Sequence, residues 1–260
     1  MRLAALLASA ALPLAASTWY ITVAGLGGLP EYDSRFQELA SQVDKTLKAA
    51  GGDAKIQTLV GAAATLDNLR AVLKEAAHAV QPKDDLALLL VGHGTFDGAD
   101  YKFNLKGPDV SASELASLLD AVPAGRQLVV NTTSSSGGAI EALRRENRVV
   151  ISATRSGTEK NATIFARYFV EALNDPSADT DKNETLSALE AFRYAEQKTA
   201  KFYETQKRLA TEHPTLEDGS KGLAAARFGL LRLGAAQIAA RNPEKQKLLA
   251  RKDELEGQIE

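Results

Sequence analysis

The unbroken apolar run from Leu86 to Val91 is the feature that most narrows the folds open to this chain. Successive side chains of a strand point to opposite faces, so a strand made of this run needs cover on both sides. That requirement selects a sheet held between two layers of helix, with parallel strands joined by crossover helices. Four further short runs, at 19–25, 54–60, 126–131 and 148–153, are rich in β-branched or aliphatic residues and fit the same sheet. Between these runs the apolar spacing predicts helices at about 32–50, 65–80, 111–121 and 138–146, with a fifth at about 161–173. Thr65 and Ser111 stand where N-caps belong, and Glu114 completes a capping box with Ser111. The expected fold is α/β: a three-layer sandwich around a mainly parallel sheet, followed by a C-terminal helical tail.

Charge and composition exclude several classes of function. The 31 basic and 33 acidic side chains leave a net charge of -2, which gives no whole-chain attraction to nucleic acid or to an anionic membrane. No cysteine is present, so disulfides, thiolate metal sites and cysteine nucleophiles are all excluded. Residues 1–17 carry one basic residue, an Ala/Leu run and then small residues, the pattern of an export signal, which implies a secreted or periplasmic protein. No later stretch qualifies as a membrane span, because the Ala/Leu-rich segment near 222–240 is punctuated by Arg227 and Arg232. The main domain is expected over 18–222. Residues 223–260 are expected as a helical extension whose charged end, with Leu248, Leu255 and Ile259 on one stripe, suits a partner helix.

Two loops concentrate the residues that can do chemistry. Ligands of open parallel sheets bind beyond the carboxyl ends of the strands. His93 follows the third apolar run, between Gly92 and Gly94, and the loop "NTTSSSGG" follows the fourth. Both should reach the same rim, with the Gly94 amide free to donate to a developing oxyanion. Asp97 is the carboxylate nearest to His93 along the chain. His78 is expected on a helix surface and His213 in a late loop able to approach the rim.

The order of an apolar strand, then "GHG", then a strand ending in a small-residue loop with "SGG" resembles the legumain, caspase and gingipain group of cysteine peptidases, most of all the legumain-type branch and its bacterial relatives. The resemblance spans about Trp19 to Leu173. It implies that His93 is the catalytic base, that Arg35 helps form a specificity pocket, and that Ser152 and Arg155, in "ISATRSGTEKN", line that pocket. The family pattern of cysteine, any residue, serine, glycine falls on Ser134, Ser135, Ser136 and Gly137, so a hydroxyl stands where the family carries its thiol. A serine hydroxyl needs a base within hydrogen-bond reach to act as a nucleophile, whereas a thiol is partly ionised near neutral pH. The expectation is an inactive peptidase homologue that binds peptide or protein. The alternative is a hydrolase using Ser134 as nucleophile and His93 as general base.

A separate pattern lies at 179–190. Asp179, Asp181, Asn183, Thr185, Ser187 and Glu190 occupy positions 1, 3, 5, 7, 9 and 12 of an EF-hand-type calcium loop. Position 6 holds Glu184 where such loops carry glycine. The same residues also fit an acidic turn closed by a Ser187–Glu190 capping box, so Ca2+ binding and simple helix capping both stand as expectations.

Overall fold

The computed structural model describes residues 16–234. The expected leader, apart from Ala16 and Ser17, and the tail from 235 onward lie outside the described residues. The chain runs β1 (Thr18–Ala24), α1 (Pro30–Ala50), β2 (Lys55–Leu59), α2 (Leu66–Ala79), β3 (Asp85–Val91), β4 (Gly94–Phe96), β5 (Tyr101–Phe103) and β6 (Val110–Ser111). It continues with α3 (Ala112–Asp120), β7 (Arg126–Asn131), α4 (Ile140–Leu143), β8 (Arg148–Ser152), α5 (Phe165–Asn174), β9 (Thr185–Ser187), α6 (Ala188–Thr205), β10 (Thr215–Glu217), α7 (Leu223–Arg227) and β11 (Gly229–Arg232).

The main sheet has the order β10-β8-β7-β3-β1-β2. Its neighbours are parallel except for β10, which closes one edge antiparallel to β8. Strand β3 behaves as its composition demands. Ala87, Leu89 and Val91 enter the core beneath α1, α5 and α6, while Leu86, Leu88 and Leu90 enter the core beneath α2, α3 and α4. The three-layer α/β sandwich is therefore the fold of this chain. From β1 the chain steps outward to β2 and then returns past β1 to β3. The loops that leave β1 and β3 thus diverge at the carboxyl rim, which is where such sheets open a ligand crevice.

Local signals explain most boundaries. Helix α1 opens with Pro30, whose fixed φ suits a first turn, and α2 opens on Thr65, whose hydroxyl accepts from Asn68 N–H. Ser111 caps α3 in the same way.

Two expectations are corrected, and one element that was not expected is added. The helix expected at 138–146 is a 3-10 turn at Ser136–Ala139 followed by the single turn of α4. The cause is close backbone packing: a Cβ on Gly137 would lie 2.2 Å from Ser156 N, so the start of this segment is pressed against the loop after β8. Next, β4, β5 and β6 form a small antiparallel sheet that apolar periodicity did not reveal. Finally, residues 223–234 are not a separate helical extension. Strand β11 pairs with β9, and Phe228, Leu230, Leu231 and Leu233 are buried in the main core, because this short apolar run completes the layer around α6.

Covered faces on both sides of β3 lead to a direct test. Leu88→Ala and Leu89→Ala, one for each face, are each expected to lower the unfolding free energy by about 2–5 kcal/mol in urea titrations. A harmless change at either position would mean that its face is not packed.

Candidate functional site

His93 and the 131–138 loop meet at one rim, as the parallel pairing of β3 with β7 requires. Thr132 N–H and its hydroxyl both donate to Leu90 O, at 3.0 and 2.8 Å, and so carry the β7 loop across the end of β3. Ser134 is 4% exposed. Its hydroxyl donates to Gly94 O at 2.9 Å and accepts from Gly94 N–H at 3.2 Å. Both residues expected to do chemistry through these atoms are thus bound to each other. The Gly94 amide, expected to serve an oxyanion, already has an acceptor. Glycine is required here, since a Cβ would sit 2.4 Å from Tyr101 Cε2 and 2.6 Å from Ser134 O.

A buried polar network supports this contact. Tyr101, held by β5, shares a 2.6 Å hydrogen bond with Thr133 Oγ1 and donates to Asn131 Oδ1 at 3.2 Å. Burial pushes the Tyr101 phenol up to about 12, so it stays a neutral donor at ordinary pH. Ser135 follows in the left-handed region, with φ 56°, and its buried Oγ has no hydrogen-bond partner. Ser136 Oγ meets Thr154 Oγ1 at 3.2 Å, and Gly137 N–H donates to the same Thr154 oxygen at 2.8 Å. The loops after β7 and β8 are therefore locked together.

The imidazole of His93 is half-buried and wedged edge-on between Tyr32 and Phe36 of α1, with ring centroids 4.8 and 5.0 Å away. No hydrogen bond joins this ring to Ser134 among the described residues. Burial lowers its pKa first and the nearby Arg35 guanidinium lowers it further, against a weaker opposing effect of Asp33. Asp97 is not the partner of His93. It lies exposed in the β4–β5 turn, where its carboxylate accepts from Ala99 and Asp100 N–H. The carboxylate that acts on His93 is Asp33, which also accepts from Gly27 N–H at 2.7 Å.

The expected pocket residues separate. Arg35 lies close enough to affect both His93 and Glu212. Ser152 is fully buried and donates to Thr154 O, so its side chain offers nothing to a ligand. Arg155 is exposed and pairs with Glu159 at 3.3 Å. Glu159 also holds His213 Nδ1 at 2.6 Å, and its carbonyl accepts from Ser135 N–H, so His213 is tied to the rim through that one residue. Sequence reasoning missed Glu212. This carboxylate is buried, which raises its pKa, and it accepts from Ile164 and Phe165 N–H at the start of α5 and from the Tyr203 hydroxyl. Its only signal was an acidic residue beside His213. His78 lies on α2, with Nδ1 2.6 Å from Lys74 O.

In the 179–190 loop, Asp179, Asp181 and Glu190 bring carboxylate oxygens within 4.8 Å of one another. Glu184 adopts the left-handed φ of 68° that position 6 calls for, without glycine. Asn183 N–H donates to Asp181, Thr185 N–H to Asn183, and Glu184 N–H to Asp179. The Ser187–Glu190 capping box is formed, with Ser187 as N-cap of α6. Both Glu190 oxygens are engaged, one by Thr180 and Asp181 and the other by Ser187. The donor set suits a hard cation, but an ion bound through Glu190 competes with these internal bonds.

No protein-family model matches this chain, and no curated protein matches it. Among solved structures the chain is similar to the crystal structure of protein GSU0716 from Geobacter sulfurreducens, a structural-genomics target. The two share 12% identity over 84% of this chain and 100% of that one, with a TM-score of 0.55, a likeness of fold alone.

The environment of His93 has a measurable consequence. Its folded-state pKa lies below the free value of about 6.5, so the stabilising contribution of the neutral ring is complete above that pH and is lost as pH falls through the folded value. NMR titration of the ring is expected to give a midpoint below that of free imidazole, and Arg35→Ala should move it upward. A midpoint at or above the free value, or one indifferent to Arg35, would contradict this electrostatic account.

Proposed function

We propose that this chain is a homologue of the legumain and caspase peptidases whose catalytic centre is silent and whose rim binds a peptide or a peptide-like segment of a protein. The observation that carries this reading is the reciprocal bond between Ser134 and Gly94. A serine nucleophile must give its proton to a base as it attacks, and the Ser134 proton faces a backbone carbonyl instead of the His93 ring. The amide that would stabilise an oxyanion is held by the same hydroxyl. Peptide binding is supported by the surface that remains. Leu26 and Leu29 are exposed by 44% and 54% in the loop after β1, beside Tyr32, and Arg35 supplies a cation at the same edge. The leader-like residues 1–17 make this an exported protein in our reading, which sequencing the N-terminus of the mature chain would check.

The alternative, a hydrolase with Ser134 as nucleophile and His93 as base, draws on the depressed pKa that keeps this imidazole neutral and able to accept a proton. A fluorophosphonate probe separates the two readings. The silent centre predicts no labelling of the wild-type protein above that of Ser134→Ala. Stoichiometric labelling that disappears in both Ser134→Ala and His93→Ala would establish the hydrolase. In addition, Ser134→Cys should acquire measurable cleavage of a mixed peptide library if the remaining rim has kept the family's geometry.

A further inference from the structure

The rim continues, past Arg35, into a groove of about 640 Å³ between α1 and α5. One wall is a stripe of α1 at helical spacing, Arg35, Glu38, Leu39 and Lys45, and the other is a stripe of α5 that includes Arg167 and Glu171. The charges in this groove are not balanced. Glu171 is engaged from the side by α6, with Lys198 Nζ and the Tyr194 hydroxyl at 2.8 and 2.7 Å. Glu38 accepts from Gln42. By contrast, none of Arg35, Lys45 and Arg167 has a carboxylate within ion-pairing distance among the described residues. Lys45 and Arg167 are exposed, and Arg35 is half-buried. Three cations outside any ion pair, Arg167 also lying over the Tyr168 ring, therefore border a groove with two acids, of which Glu171 is already paired with Lys198.

Resting on the peptide-binding reading, we propose that the α1–α5 groove receives an acidic, extended peptide segment running from the His93 rim toward Lys45. Length and chemistry favour this occupant. Arg35 and Lys45 are separated by about 15 Å along the helix axis, which an extended chain covers with about five residues. Leu39 gives the floor an apolar surface for side-chain stems. A polyanionic nucleic acid is disfavoured, since the chain has a net charge of -2 and Glu38 and Glu171 stand among the cations of the groove.

The test is fluorescence anisotropy with labelled Asp/Glu-rich peptides of about six residues, neutral and Lys-rich peptides of equal length, and an oligothymidylate of matched charge. The acidic peptide is expected to bind best, to weaken with added salt, and to lose about tenfold or more in affinity with the combined change Lys45→Glu and Arg167→Glu. Lys74→Glu, on the opposite face, should leave binding unchanged. Circular dichroism and melting curves would establish that the double variant is folded, and Lys45→Gln with Arg167→Gln replaces it should it unfold. Unchanged affinity in the folded variant, or equal binding by the oligothymidylate, would overturn the groove assignment. Binding of neutral or basic peptides in preference to acidic ones would overturn it while leaving the peptide-binding reading in place. If no peptide of any charge binds, that parent reading fails as well.

Discussion

Two hydrogen bonds between Ser134 and the Gly94 backbone join the carboxyl ends of β7 and β3, the paired strands at the centre of the sheet. The loop after β7 is held against the end of β3 by this contact. The contact requires a glycine at 94, because Tyr101 and the Ser134 carbonyl leave no room for a Cβ. Beside it, burial keeps the Tyr101 phenol neutral, with its hydroxyl on Thr133 and Asn131. Most of the small polar side chains along the β7 loop then satisfy one another or the backbone of neighbouring loops, Ser135 Oγ and Asn131 Nδ2 excepted, so a segment with little apolar content can lie buried.

The same contact fixes what the rim presents. An imidazole and a hydroxyl stand on adjacent loops, but the hydroxyl proton is directed at the Gly94 carbonyl, the Gly94 amide at the hydroxyl oxygen, and the imidazole is packed between two aromatic rings. Under the proposed reading such a site serves recognition rather than turnover, with specificity resting on charge and shape around Arg35 and along α1.

Much of the architecture was legible because it depends on local chemistry. The five central strands announce themselves as aliphatic or β-branched runs, and the unbroken run at β3 demanded cover on both faces. The N-caps of α2, α3 and α6 could be read from single hydroxyl residues. Other features were hidden for definite reasons. The β4–β5 hairpin is three residues long on each side, too short for a period to appear, although Asp97-Gly98 is a turn signal that would have found it. The run at β11 was taken for helix because Ala and Leu surround it, and only its pairing with β9 makes it a strand.

His93 and the loop after β7 were placed at one rim from position alone, and Ser134 was singled out within that loop by the resemblance to the peptidase family. Their relationship was not legible, because the Ser134–Gly94 bonds link residues 40 apart in sequence and no pattern encodes which acceptor a hydroxyl will choose. No carboxylate partner for His93 was visible in the sequence, and Asp97, the nearest along the chain, is satisfied locally in an exposed turn. Tyr32 and Phe36 were hidden because they reach the rim through the packing of α1, and Glu212 because a late loop carries it to the start of α5.

Amide hydrogen exchange at Gly94 addresses the central claim most directly. If the Ser134 hydroxyl holds that amide, Gly94 N–H exchanges slowly in the native protein and accelerates by about tenfold or more in Ser134→Ala, while amides within β3 keep their protection. Rapid exchange at Gly94 in the unaltered chain, or protection that survives loss of the hydroxyl, would contradict the account.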